Sequence, residues 1–138
     1  MLATEPVCCF VNQAAHLWLH PQGFLQLRWL PAGGSSRAFR IALEQLLWHL
    51  HQQHWHKVFV DQRHMAALSA TDTAWYLLDW LPRATQHHYR YAAVLRPCHV
   101  ATRLSTHTIR QQAMDRFPLC YQLFEQEARA VAWLLAQP

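Results

Sequence analysis

Two short stretches of this chain are apolar at every position: Val58-Phe59-Val60 and Ala92-Ala93-Val94-Leu95. Successive side chains of a strand point to opposite faces, so a strand with one face in water alternates, and a strand apolar throughout must be covered on both faces. Parallel sheets are covered in this way, because the crossover joining parallel neighbours lays a helix across the sheet. Residues 62–90, between the two runs, carry such a helix pattern. Ser69-Ala70-Thr71-Asp72 has the S-x-x-D form of a capping box, in which the serine caps the helix and the acid reaches back to the serine N–H. The helix is predicted to end at Leu81, which Pro82 biases away from helical angles.

The same reasoning extends in both directions. Residues 7–11, 16–20 and 24–30 read as strands, the third with Leu25, Leu27 and Trp29 toward the core and Phe24, Gln26, Arg28 and Leu30 away from it. Pro21-Gln22-Gly23 is a turn between the second and third, which predicts an antiparallel hairpin. The break at 31–36 offers Ser35 or Ser36 as the cap of a helix whose inner stripe is Phe39, Ala42, Leu43, Leu46, Leu47 and Leu50, ending near 51–54. After the 91–96 strand come a polar helix with Val100, Leu104 and Ile109 on one stripe and a strand over 119–124. The last helix, 125–135, has Ala128, Val131, Ala132 and Leu135 on one side. The order predicts an α/β domain: a mixed sheet with an N-terminal antiparallel hairpin, its remaining strands mostly parallel, flanked by about four helices. One domain over residues 1–138 is expected from the length.

Of the 138 residues, 52% are hydrophobic and 14% charged, which excludes a disordered chain. No apolar run is long enough to span a membrane, and Glu5 and Pro6 stand where a secretory signal needs its apolar centre, so a cytoplasmic location is expected. Cys8, Cys9, Cys98 and Cys120 show no paired spacing and are expected as buried thiols in a reducing compartment. The net charge is +4, but the arginines are scattered and Lys57 is the only lysine, which speaks against nucleic acid.

Histidine is abundant, with eleven in all, including His49, His51, His54 and His56 in one stretch and His87-His88 in another. On a helix, positions 51 and 54 share a face, but no carboxylate or cysteine accompanies them at ligand spacing. No metal and no cofactor are predicted. Asp61, Arg63 and His64 fall at the carboxyl end of a predicted strand, the rim where open α/β sheets bind ligands. Without a nucleophile or a glycine-rich loop beside them, no catalytic residue is assigned, and Asp61 is expected to accept backbone N–H groups in the turn, with Arg63 paired to it or to Asp72. Trp75, Tyr76, Leu77, Leu78, Trp80 and Leu81 place apolar groups all round one helix, which predicts a contact surface carried by Trp75, Tyr76 and Trp80.

The run Asp61-Gln62-Arg63, Met65, Ser69, Asp72, Trp75 and Trp80-Leu81-Pro82-Arg83, with residues 128–134 near the end, resembles the bacterial STAS/Sec14-like proteins, relatives of the anti-sigma factor antagonists. The resemblance covers about residues 16–135. It implies a STAS-like sheet, no catalytic apparatus, and a role in protein contact or signal relay. It also implies a phosphorylated serine at the start of the helix after the strand ending in Asp61. The matching stretch lacks the antagonists' serine doublet and glycine, leaving Ser69 or Thr71 to stand in.

Three functions are therefore in view. The first is a non-enzymatic interaction or regulatory module, docking through 69–82 against a protein partner or itself as a homodimer. The second is a carrier or sensor of a small apolar or anionic ligand held between the sheet and the aromatic helix, and the third is an enzyme using Asp61, Arg63 and His64. A pocket of several hundred cubic ångströms favours the carrier, and a filled core with an apolar patch favours docking.

Overall fold

Both apolar runs are interior strands. In the computed structural model, which describes residues 5–31 and 35–138, a six-stranded sheet runs in sequence order through β1 (Val7–Val11), β2 (Ala15–His20), β3 (Phe24–Trp29), β4 (Lys57–Asp61), β5 (Tyr91–Leu95) and β6 (Cys120–Phe124). β1, β2 and β3 pair antiparallel, and β3 through β6 pair parallel. The predicted break at 32–34 lies outside the described residues, as do residues 1–4.

Among the described residues, four helical segments flank the sheet: α1 (Ser36–Gln53), α2 (70–86), α3 (Val100–Arg116) and α4 (Glu127–Leu135). α1, α2 and α3 are the crossovers between successive parallel neighbours. Crossovers of one hand that step in one direction along a sheet all fall on the same face. Leu25, Leu27, Val58, Val60, Ala92 and Val94 accordingly pack with α1, α2 and α3 in one core. The intervening positions Phe24, Phe59, Ala93 and Leu95 pack with Ala130 and Leu134 of α4 on the opposite face. This double cover is what the unbroken apolar runs require.

Local chemistry sets the boundaries. Gly23 takes φ +90° in the β2–β3 turn, donating its N–H to the His20 carbonyl. Ser35 caps α1 by accepting the Ala38 N–H, and His54 closes it in the left-handed region at φ 56°.

Four expectations are corrected. The 70–86 helix does not stop before Pro82. It opens into a π-turn over Tyr76–Trp80, with the Leu81 N–H donating to the Tyr76 carbonyl, and continues to Gln86. A proline has no N–H to donate and its ring presses on the carbonyl four residues back, and widening the preceding turn accommodates both. The capping box is half made. Ser69 accepts the Asp72 N–H, but the Asp72 carboxylate binds the Ser36 hydroxyl and Arg40 instead of reaching back. In α3 the buried stripe is Thr102, Thr106, Ile109 and Ala113, while Val100 and Leu104 are exposed. In α4, which begins two residues later than expected, the buried positions are Ala130 and Leu134.

The thiols also depart from expectation, since Cys8, Cys98 and Cys120 are exposed and Cys9 is half-buried. Cys8 and Cys120 lie on the two edge strands, where one side of the strand has no neighbour. Among the described residues, no helix is long and apolar enough to cross a membrane.

Candidate functional site: a tyrosine-lined cavity

β4 ends in Asp61-Gln62, and strand alternation sends the two side chains to opposite faces. Asp61 goes to the α4 side. Its carboxylate accepts the Arg63 backbone N–H at 3.1 Å and the Arg63 guanidinium at 3.0 and 2.8 Å. The β3–β4 register sets Arg28 beside it, 3.6 Å away. The Arg28 guanidinium also lies 5.0 Å from the Trp18 ring centre, and its buried Nε has no hydrogen-bond partner. His64 is exposed. Asp61 and Arg63 thus form the backbone-bracing pair that the sequence reading expects, while His64 makes no hydrogen bond with them among the described residues.

Burial alone would raise the Asp61 carboxyl, but the bonds from Arg63, and then the Arg28 charge, bring it below the usual carboxylate range. A depressed folded-state value stabilises the fold above about pH 4, and this contribution is lost as pH falls through the folded value. Asp61→Asn is expected to cost about 1–2 kcal/mol at pH 7, reduced by the half exposure of both arginines. The gap between the two proteins should close as pH is lowered below about 4. Urea titrations at pH 7 and pH 3 check this. A gap unchanged in acid would show that the carboxylate charge does not brace this corner.

Gln62 points the other way, into the core beneath α1, α2 and α3. Its amide donates to the Tyr121 hydroxyl at 3.1 Å, and its carbonyl accepts the Thr106 hydroxyl at 3.0 Å. Thr102, one turn earlier on α3, donates to the Met65 carbonyl at 3.0 Å and so ties α3 to the loop after β4. These bonds explain why threonines, and not Val100 and Leu104, face inward. The sequence reading missed Gln62, Thr102, Thr106, Tyr89 and Tyr121. The stripe at 102, 106, 109 and 113 has helical spacing and was open to detection, but an apolar-only pattern passes over its threonines.

This chain of bonds borders a cavity of about 50 Å³ between the sheet and the three helices. Its apolar walls include Leu27, Leu46, Val60 and Ile109, and Tyr76, Tyr89 and Tyr121 all line it. No Asp, Glu, Lys, Arg or His is among its lining residues. Tyr89 is 3% exposed, and among the described residues the hydroxyls of Tyr76 and Tyr89 have no hydrogen-bond partner. Burial holds all three phenols in the protonated form, raising Tyr76 and Tyr89 well above the usual phenol value and pushing Tyr121 up to about 12. A groove of about 260 Å³ adjoins the cavity and shares Trp29, Phe39, Met65, Ala66 and Leu68 with it. Ser69, exposed at the start of α2, borders that groove.

The aromatic residues expected on a contact surface are placed differently. Trp80 is 1% exposed and donates its indole N–H to the Leu43 carbonyl at 2.8 Å, so it belongs to the core. Tyr76 is partly buried, its ring stacked on Trp80 at 5.3 Å. Trp75 is half-buried between Phe39 and the Arg40 guanidinium. The apolar groups of 75–81 form an inward stripe, with Leu78, 67% exposed, the large one left outside. Thr71 is exposed. His51 and His87 approach with ring centres 5.0 Å apart, but among the described residues no group of three or more His, Cys, Asp or Glu is arranged to hold a metal ion.

Comparisons of the chain with protein-family models, curated proteins and solved structures find no match. What the chain is shown to be is therefore a matter of its architecture: an α/β domain with a mixed six-stranded sheet, antiparallel at its N-terminal end and parallel beyond β3, under four helical segments.

Proposed function

We propose that this domain is a non-catalytic carrier or sensor of a small molecule, which it holds between the sheet and α1–α3. The observation that carries this reading is a cavity lined by Tyr76 and Tyr89, two tyrosines whose hydroxyls have no protein partner among the described residues. Buried polar groups are nearly always satisfied, and a phenol left open toward a cavity is matched by water or by a ligand. Apolar walls with a few converging polar groups are the usual composition of a small-molecule site. Kinship with the STAS/Sec14-like proteins belongs to the same proposal, supported by the strand–helix alternation from β3 onward.

The inner cavity is far below the several hundred cubic ångströms of a lipid or drug-sized site. The ligand therefore places only a few atoms there, with any larger part in the adjoining groove. Docking through 69–82 loses its central residue, since Trp80 is unavailable to a partner.

The test is mass spectrometry of small molecules released on denaturing protein purified from its own host. Wild-type protein should release one compound that the Tyr76→Phe/Tyr89→Phe variant does not retain. Added back at about 100 times its Kd, that compound should stabilise the wild type by about 2.7 kcal/mol. If the wild type releases nothing and no member of a fragment library raises its Tm, the reading fails.

A further inference from the structure

The end of β5 and the start of α3 carry cations that play no part in the interior cavity. Arg96 follows β5, Arg103 lies in the first turn of α3, and His107 stands one turn further along the same helix face. With Pro97, Thr106 and Leu123 they line a recess of about 160 Å³ between α3 and the carboxyl ends of β5 and β6. No Asp or Glu is among its lining residues. The Arg103 Nε donates at 2.7 Å to the carbonyl of Pro97, itself part of the wall. This bond holds the guanidinium at the recess, with its two Nη groups unpartnered among the described residues. Arg96 has an acid 3.5 Å away in Glu125, whose side chain is 76% exposed. The Thr106 hydroxyl spends its proton on Gln62. A cation in the first turn of a helix opposes the helix dipole, and this turn carries no acid to offset it. An anion in the recess relieves that cost and the repulsion between the two arginines.

From this uncompensated positive recess we infer a second binding site, separate from the tyrosine-lined cavity, for a phosphate group, free or carried by a small molecule. Guanidinium meets phosphate oxygens with two parallel bonds, and cationic groups from three positions suit an anion with oxygens on several sides. Apart from the His107 imidazole no aromatic ring is among the lining residues to stack a base, which sets nucleic acid aside. Pro97 and Leu123 offer an apolar floor to carbon attached to the phosphate. The site stands independently of the binding reading above, although Thr106 lines both spaces.

Inorganic phosphate, phenyl phosphate and acetate are titrated into the full chain at constant ionic strength set with sodium chloride, and backbone amide shifts are followed by NMR. Phosphate should give saturable shifts centred on residues 96–107 and Leu123. Arg96→Gln and Arg103→Gln should each weaken it about tenfold, whereas Arg116→Gln, which removes the same charge at the far end of α3, should change it by less than about twofold. Glu125→Gln should tighten it about threefold, because Arg96 loses a competing carboxylate. A gain of affinity cannot come from a loosened fold, so the test does not depend on how Arg103→Gln affects the bond to Pro97. Phenyl phosphate binding more tightly than phosphate supports the site and identifies a phosphorylated molecule as its ligand, and equal affinity supports it and identifies the free ion. Acetate binding as tightly as phosphate would overturn the ligand class. Shifts that do not saturate, or an Arg116→Gln protein weakened as much as Arg96→Gln, would reduce the effect to general attraction of anions to a basic chain and overturn the site.

Discussion

Trp80→Ala is expected to cost about 3–5 kcal/mol of folding stability, a lowering of Tm by about 10–20 °C for a domain of this size. The ring is 1% exposed and packs against Tyr76 and Tyr89. Removing it enlarges a cavity that already lies beside it, and α2 cannot collapse freely into the gap because Pro82 and the π-turn fix its path. Trp80→Phe should cost only about 1–2 kcal/mol, since it keeps most of the ring and loses the bond to the Leu43 carbonyl. Trp48→Ala is the control, because Trp48 is 54% exposed on α1 and should change stability by no more than about 0.5 kcal/mol. Urea denaturation followed by far-UV circular dichroism measures all three. A Trp80→Ala protein within 1 kcal/mol of wild type would mean that this tryptophan is not part of the core.

The same residue shows where a sequence can be read and where it cannot. The strands β3, β4 and β5 and the helix α1 lie in segments whose apolar pattern announces them, because residues such as Val58, Ala92, Leu43 and Leu50 bury for one reason, their apolar surface. Trp80 was legible as apolar, but which side of its helix faced inward was not. That depends on the π-turn, which exists because Pro82 is kept inside the helix instead of ending it.

The site was harder still. Asp61 and Arg63 stand two apart at a strand end, so their pairing follows from local geometry, and both parts of the expected brace are present. Gln62, Thr106 and Tyr121 come from β4, α3 and β6, separated by 44 and 59 residues from Gln62. Nothing local to any one of them signals the others, and only the parallel order of the strands brings them together.

Gln62→Leu is expected to cost about 2–4 kcal/mol, because it strands two buried hydroxyls, those of Thr106 and Tyr121, in place of one satisfied chain. Leucine is one heavy atom smaller than glutamine and keeps most of its bulk, so lost packing is the smaller part of the cost. The triple variant Gln62→Leu/Thr106→Val/Tyr121→Phe removes every member at once, and replacing all partners by apolar groups of similar shape is close to neutral. It should recover to within about 1 kcal/mol of wild type in urea denaturation. The cycle therefore asks what the polar chain is for. If stability alone explained it, the single variant and the triple variant would be equally damaged. A triple variant that folds as well as wild type but no longer retains the compound that wild type releases would show that the chain is kept for what enters the cavity. A triple variant that still retains that compound as tightly as wild type would remove Tyr121 from the site and leave Tyr76 and Tyr89 to hold the ligand alone.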